Sequence, residues 1–267
     1  SLAAILTPTP NPFSESSLYP SAVLAVILSA LVLGALIAAL HLGRPLKARF
    51  SITNFRSSWL SREALLGGCF GLFAIVLFVR RWRGGGFGPL DEILIILGIV
   101  SGLTLVFSIS RLYMLRTVPA WNNWGTPAAF FTSCLLLGVV IATTVWFALI
   151  LLDDAYNHYL LMSRLVSIST ILILSLVSLQ LCIFGMGIVY LNNQGGKAAA
   201  SVQILWSKLR GTLTLRWMTA LGGTSILMVL LIVWLPPYFY IISFALLLVS
   251  EILGRFLFYG FYQREGI

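Results

Sequence analysis

The chain has 267 residues, of which 59% are hydrophobic and only 9% are charged, and its mean hydropathy is +0.99. A soluble domain has about 25% charged residues, so this composition excludes a soluble globular protein and predicts an all-α, polytopic integral membrane protein. The net charge of +9 would favour nucleic-acid binding in a soluble protein. Here the basic residues lie at the ends of apolar runs, as is typical of membrane proteins. We therefore expect membrane lipids, and no nucleic acid, around the protein.

Seven apolar runs are long enough to cross a membrane as helices. They predict a transmembrane helix bundle over residues 21–260, between a non-spanning N-terminal segment (residues 1–20) and a C-terminal tail (residues 261–267). Proline cannot continue a helix, so the proline pair at 236 and 237 separates the last two spans. In sequence order the predicted spans are Ser21–His41, Glu63–Val79, Ile93–Tyr113, Ala128–Leu152, Leu160–Tyr190, Met218–Trp234 and Tyr238–Tyr259.

The stretch Ala198–Trp217 precedes the sixth predicted span and differs from it in composition. Large apolar side chains alternate there with Lys208, Arg210 and Arg216. This mixture predicts an amphipathic segment that lies in the membrane interface.

The basic residues are divided unequally between the two sides of the membrane. Alternation of seven spans places Arg80, Arg81, Arg83 and Arg164 on one side and the other 13 of the 17 basic residues on the opposite side. We call the latter the basic side. The positive-inside rule predicts that the basic side is cytoplasmic, although a docked partner protein is an alternative explanation of the charge.

Cysteine and histidine residues limit the redox centres that this protein can hold. Cys69, Cys134 and Cys182 are isolated in apolar runs, and no CxxC spacing occurs, so we expect no iron–sulfur cluster and no metal site. The two histidines, His41 and His158, fall on opposite sides of the membrane, which argues against a haem with two histidine ligands. Electrons that leave a bound substrate must therefore reach a centre held by another protein.

His41 and Glu63 are the candidate catalytic residues. His41 ends the first predicted span and Glu63 begins the second, so both fall at the basic side. An imidazole and a carboxylate at one interface can accept protons from a bound hydroquinone. Each residue also has a structural explanation, because a histidine suits a helix C-terminus and an acid suits the first turn after an N-cap such as Ser61.

Two further groups of residues lie toward the basic side. Glu251 and Arg255 are four positions apart within the last span and predict a structural ion pair, with a role in a binding pocket as the alternative. The segment that begins at Arg111 also contains Tyr113 and Trp121. Its aromatic rings either anchor helix ends at the interface or contact a flat ligand ring.

Four segments of the sequence resemble hallmarks of the DmsC family, the membrane anchor subunits of dimethyl-sulfoxide-reductase-type molybdoenzymes. In order, they are "LHLGRPLKA", "NFRSSWLSRE", "RLYMLRTVPAWNNWGTP" and "EILGRFLFYG". The resemblance implies a haem-free anchor of eight helices in the cytoplasmic membrane of a prokaryote, with one helix expected upstream of the seven in this sequence.

The same resemblance implies a function and partners. Such a subunit binds and oxidises menaquinol. It passes the electrons to a four-cluster iron–sulfur subunit and then to a catalytic subunit with molybdenum–bis(guanine dinucleotide). The quinol-site histidine and glutamate of the family match His41 and Glu63, and a basic loop residue matches Lys47. The predicted quinol-binding set is completed by Arg111, Tyr113 and Trp121.

Two other functions are also compatible with the sequence. The protein could hold a reductase passively while quinol binds elsewhere, or it could be a multi-pass transporter, although it shows no internal repeat of the kind common in transporters. The terminal substrate, the direction of electron flow and the side on which partners dock are also left open.

Overall fold

The computed structural model describes residues 18–41, 55–56, 58–152, 159–233 and 238–260. These residues form helices and connecting turns without any β-strand. Seven of the eight helices are long and apolar enough to cross a membrane, which confirms the predicted all-α polytopic fold with seven spans. The helices are α1 (Leu18–His41), α2 (Trp59–Trp82), α3 (Pro89–Tyr113), α4 (Gly125–Leu152), α5 (Tyr159–Gln194), α6 (Gly196–Ser207), α7 (Arg210–Ile232) and α8 (Tyr238–Gly260).

The protein divides into two compact units, Ser1–Leu105 and Val106–Ile267, and the boundary falls within α3. In the first unit, α1 packs against α2, since Leu31 Cδ1 lies 3.8 Å from the position that a Cβ on Gly71 would take. Next, α2 packs against α3, where the ring of Phe70 approaches the corresponding position of Gly102 to 3.3 Å. Gly71 lets α1 and α2 come close without a polar contact.

A short turn between α2 and α3 is held by an ion pair. Arg80 donates two hydrogen bonds to the carboxylate of Asp91, at 2.9 and 3.1 Å. The same carboxylate accepts the backbone N–H of Gly88 at 3.0 Å, and Asp91 is only 1% exposed. Pro89 opens α3, where its missing N–H has no helical partner to lose. The Asp91 side chain thus both caps α3 and fastens it to the end of α2.

We expect Asp91→Asn to lower the melting temperature of the purified protein, because the change removes the charge from a buried acceptor of three hydrogen bonds. Thermal unfolding in detergent, followed by intrinsic fluorescence, measures this effect. The matched control is Glu92→Gln, since Glu92 is the next residue and is exposed. Equal melting temperatures for the two variants would contradict a structural role for the pair.

The second unit has its main core among α4, α5, α7 and α8. Phe147 stacks on Tyr240 with ring centroids 4.3 Å apart. The full set of buried core residues is Leu136, Val140, Phe147, Ile173, Val177, Leu227, Leu230, Tyr240, Phe244 and Leu247.

Helices α7 and α8 approach each other closely at Gly223. A Cβ at this position would lie 2.9 Å from the backbone oxygen of Ser243 and 3.0 Å from Leu247 Cγ. The Ser243 hydroxyl donates a 2.7 Å hydrogen bond to the Gly223 carbonyl. A buried hydroxyl is therefore satisfied by the neighbouring helix at the point where only glycine leaves enough space.

The predicted interfacial segment Ala198–Trp217 is wrong in its extent. The structure divides it into α6, which ends at Ser207, and the first two turns of the spanning helix α7, which begins at Arg210. Helix α6 is amphipathic, but its buried face, formed by Ala198, Ser201, Val202 and Leu205, packs on protein. Sequence composition does not separate these pieces, because basic residues are tolerated in the first turns of a span when their side chains reach the interface.

Candidate functional site

Glu63 lies one turn deeper in α2 than its sequence position indicates. Helix α2 begins at Trp59 and its N-cap is Ser58, whose hydroxyl accepts the N–H of Ser61. The prediction of Ser61 as N-cap is therefore wrong, because the helix extends further toward the N-terminus than its apolar run. Since Glu63 is the fifth helical residue and outside the first turn, capping does not explain the carboxylate.

The Glu63 carboxylate is half-buried, and its Oε2 atom is fully buried with no hydrogen-bond partner among the described residues. A buried oxygen in this state costs free energy of about 1–3 kcal/mol, and more when charged. Beside it, Arg62 donates to the carbonyls of Phe55 and Arg56 at 2.9 and 2.7 Å and lies over the Trp59 ring at 4.2 Å. The preceding turn is thus fastened to the start of α2, while Glu63 Oε2 has no hydrogen bond from any residue that the structure describes.

The helix register places the end of α1 near Glu63. Leu31 of α1 faces Gly71 of α2, and the two helices run in opposite directions. Moving ten residues on from Leu31 reaches His41, and moving ten residues back from Gly71 reaches Ser61, each a rise of about 15 Å. The backbone of His41 is therefore level with the turn of α2 that contains Glu63. The His41 side chain and Lys47 lie outside the described residues, so their predicted contacts stay predictions.

Tyr113 and Trp121 belong to an aromatic cluster in the second unit, which also contains Phe130, Phe258 and Tyr259. The Trp121 ring stacks on Phe258 with centroids 5.4 Å apart, and its Nε1–H donates to the Phe258 carbonyl at 2.8 Å. The hydroxyl of Tyr259 bonds to that of Tyr113 at 3.0 Å. One indole face and the indole donor are thus used in packing the loop before α4 against α8.

Arg111 lies in the last turn of α3, and its guanidinium approaches the Met114 sulfur to 3.5 Å. A role of Arg111, Tyr113 or Trp121 in quinol binding stays a prediction.

Glu251 and Arg255 line a cavity of about 110 Å³ in the second unit, together with Arg216 of α7. Glu251 is only 4% exposed, and its carboxylate interacts electrostatically with both guanidinium groups. Within the described residues, the ion pair closer than 4.0 Å is Arg80–Asp91, so Glu251 and Arg255 make no direct pair of that kind. The Arg255 guanidinium instead lies over the Phe130 ring, 3.9 Å from its centroid.

Sequence reasoning misses two polar residues of this cavity, Arg216 and Gln180. Composition places Arg216 in the interfacial segment, whereas it lies in the second turn of α7 and faces Glu251 across the cavity. Gln180 is a single amide inside the fifth apolar run and is 7% exposed. A lone polar residue in a span is the available signal, because such residues usually face the interior of a bundle.

Two relatives from dimethyl sulfoxide reductases match the sequence over long stretches, and a relative of another kind matches a short one. The C subunit of the anaerobic dimethyl sulfoxide reductase of Haemophilus influenzae is 26% identical over 254 residues, which cover 95% of this sequence and 86% of that protein. The YnfH subunit of an anaerobic dimethyl sulfoxide reductase of Escherichia coli K12 is 29% identical over 116 residues, 42% of this sequence and only 39% of that protein. An undecaprenyl-diphosphatase of Chlorobaculum tepidum is 46% identical over 54 residues, but these are 20% of this sequence and 19% of that protein.

No solved structure matches the protein at a significant level. A sequence profile of the family described as "DMSO reductase anchor subunit (DmsC)" matches residues 14–261. Because that match extends over nearly the whole sequence, and because seven apolar helices provide the membrane span that an anchor requires, the chain belongs to the DmsC family of DMSO reductase anchor subunits.

Proposed function

We propose that this membrane anchor oxidises menaquinol where the end of α1 meets the start of α2, and passes the electrons to a partner subunit. The observation that carries the proposal is the buried Oε2 atom of Glu63, which has no hydrogen-bond partner in the described part of the chain and lies level with the end of α1 at His41. A quinol hydroxyl can donate a hydrogen bond to this oxygen. The other candidate function, a passive anchor, leaves this carboxylate unexplained.

The chemistry assigned to this site is proton acceptance. Oxidation of a quinol to a quinone releases two protons and two electrons. In the proposal, His41 accepts a hydrogen bond from one hydroxyl, Glu63 receives the proton of that hydroxyl directly or through a bridging water, and the proton of the opposite hydroxyl is released to water. Acid–base groups work best when their pKa lies near the operating pH, and histidine has an unperturbed pKa of about 6.5. The two residues therefore supply complementary proton acceptors at one end of a ring.

In the proposal the electrons leave this subunit, and its three free cysteines, which lie singly in different helices, agree with this. We propose that they pass to a four-cluster iron–sulfur subunit and then to a catalytic subunit with molybdenum–bis(guanine dinucleotide), in the cytoplasmic membrane of a bacterium. The exposed Lys197, Lys208 and Arg210 at the ends of α6 and α7 suit an acidic docking surface. Two of the relatives are subunits of dimethyl sulfoxide reductases, which favours dimethyl sulfoxide as the terminal acceptor.

Purification of the complex with and without this subunit tests the function. We expect the complete complex to couple oxidation of a menaquinol analogue to reduction of dimethyl sulfoxide. The partner subunits alone should keep reductase activity with an artificial dye donor and lose the activity with quinol. Equal quinol oxidation by the partner subunits alone would show that the protein is a passive anchor.

A further inference from the structure

We propose that the cavity between α4, α5, α7 and α8 binds a small monovalent inorganic anion, with the charge and size of chloride, held by Arg216 and Gln180. This inference does not rest on quinol oxidation, since none of the residues that carry it belongs to the predicted quinol site. The cavity has a volume of about 110 Å³, and its polar lining includes Glu251 and Arg255.

Charge is the first argument. Two guanidinium groups, of Arg216 and Arg255, face one carboxylate, that of Glu251. Glu251 is the only acidic residue in the described part of the second unit, so this cavity keeps one positive charge without a protein counter-ion there. An uncompensated charge inside a membrane protein is strongly unfavourable. One monovalent anion would neutralise it.

Hydrogen bonding is the second argument. Arg216 Nε and Gln180 Nε2 are both buried atoms without a hydrogen-bond partner among the described residues. Both are donors, and both residues line the cavity. Buried polar atoms are nearly always satisfied by protein, water or a ligand. An anion accepts from both donors and also neutralises the charge, whereas water alone does only the first.

The cavity volume decides between ligand classes. A cavity of about 150 Å³ takes up benzene, so a volume of about 110 Å³ is too small for the fused rings of menaquinol. It accommodates a small anion with one or two waters, since each water occupies roughly 30 Å³. The cavity volume therefore favours a small inorganic ion over a quinone ring.

The Arg216 guanidinium is already positioned for such a ligand. A Cβ on Gly254 would lie 3.0 Å from both Cζ and Nε of Arg216, so the guanidinium rests on the glycine backbone of α8. The rings of Trp217 and Phe184 lie 4.8 and 5.7 Å from Cζ. These contacts hold the side chain in the cavity without using Nε. A pre-positioned donor binds an ion with little loss of conformational entropy.

The test is thermal unfolding of the purified protein in detergent, titrated with sodium chloride or sodium bromide against sodium gluconate at constant ionic strength. We expect the melting temperature to rise and saturate with chloride and bromide, but not with the bulky gluconate, since a ligand that binds only the folded state stabilises it. Gln180→Leu and Arg216→Gln should abolish this response. Their matched controls, Gln203→Leu and Arg210→Gln, change exposed residues outside the cavity and should keep it.

Glu251→Gln separates the anion site from a structural ion pair. The change raises the cavity charge from one positive charge to two, so we expect chloride to bind about tenfold more tightly or better. If Glu251 only pairs with an arginine, the variant is less stable and chloride does not restore it. The proposal would be overturned if the melting temperature did not change with chloride. It would also be overturned if the melting temperature rose with inorganic phosphate or phosphatidylglycerol but not with chloride.

Discussion

Glu63→Gln and His41→Ala should each lower menaquinol-dependent turnover of the assembled complex by about 10²–10⁴-fold, because loss of a positioned proton acceptor typically costs this much. Glutamine keeps the shape of Glu63 and removes its ability to take a proton. Activity with an artificial dye donor should stay unchanged, since the dye delivers electrons to the partner subunits directly. The measurement is the ratio of the two activities for each variant.

Two controls make this result specific. Glu92→Gln changes an exposed acid at the start of α3, and His158→Ala changes the other histidine of the protein. Both should retain quinol turnover within a few fold. If the Glu63 and His41 variants turned over quinol at the normal rate, these residues would be helix-end residues only, and quinol would be oxidised elsewhere.

Gly223→Ala should destabilise the protein by about 1–3 kcal/mol, the usual cost of adding a methyl group to a fully packed site. The new Cβ would meet the Ser243 backbone oxygen at 2.9 Å, and a backbone atom cannot move aside without shifting α8. The separation of the helices would also lengthen the hydrogen bond from the Ser243 hydroxyl to Gly223, now 2.7 Å. Chemical or thermal unfolding in detergent measures the loss.

Gly222→Ala is the matched control for this variant. Its Cβ would lie 3.6 Å from a methyl group of Leu246, which is an ordinary van der Waals distance. The same loss of backbone freedom in the unfolded state applies to both substitutions, so their difference reports the helix crossing alone. Equal stability of the two variants would show that α7 and α8 separate at no cost.

The seven spans can be predicted because each is a long apolar run, and run length alone identifies a membrane helix. Helix starts are harder to predict. Ser61 is the N-cap expected from the sequence, whereas the hydrogen bond from the Ser61 N–H to the Ser58 hydroxyl identifies Ser58 as the cap. Helix α6 merges with α7 in the sequence because the two are separated by only Lys208 and Leu209, a break without proline or glycine.

The candidate site and the cavity also differ in how far the sequence predicts them. Glu63 can be singled out because an acid near a membrane span needs a reason to be there. The cavity cannot be foreseen, because Gln180, Arg216 and Glu251 come from three helices and only packing brings them to one space. The sequence pattern that involves Glu251 is its spacing of four residues from Arg255 on the same helix. This spacing predicts Arg255 as a neighbour of Glu251 but gives no sign of Arg216.

The close packing of α7 and α8 has a consequence for biogenesis. Arg216 and Glu251 would each meet lipid if their helices left the translocation channel separately, at about 2.5–3.5 kcal/mol per charge at mid-bilayer. The two helices are joined by the short segment 233–237, and Ser250 donates a 3.1 Å hydrogen bond to the Arg216 carbonyl. We therefore expect α7 to wait in the channel until α8 has been synthesised, so that both enter the bilayer as one hairpin with their charges facing each other.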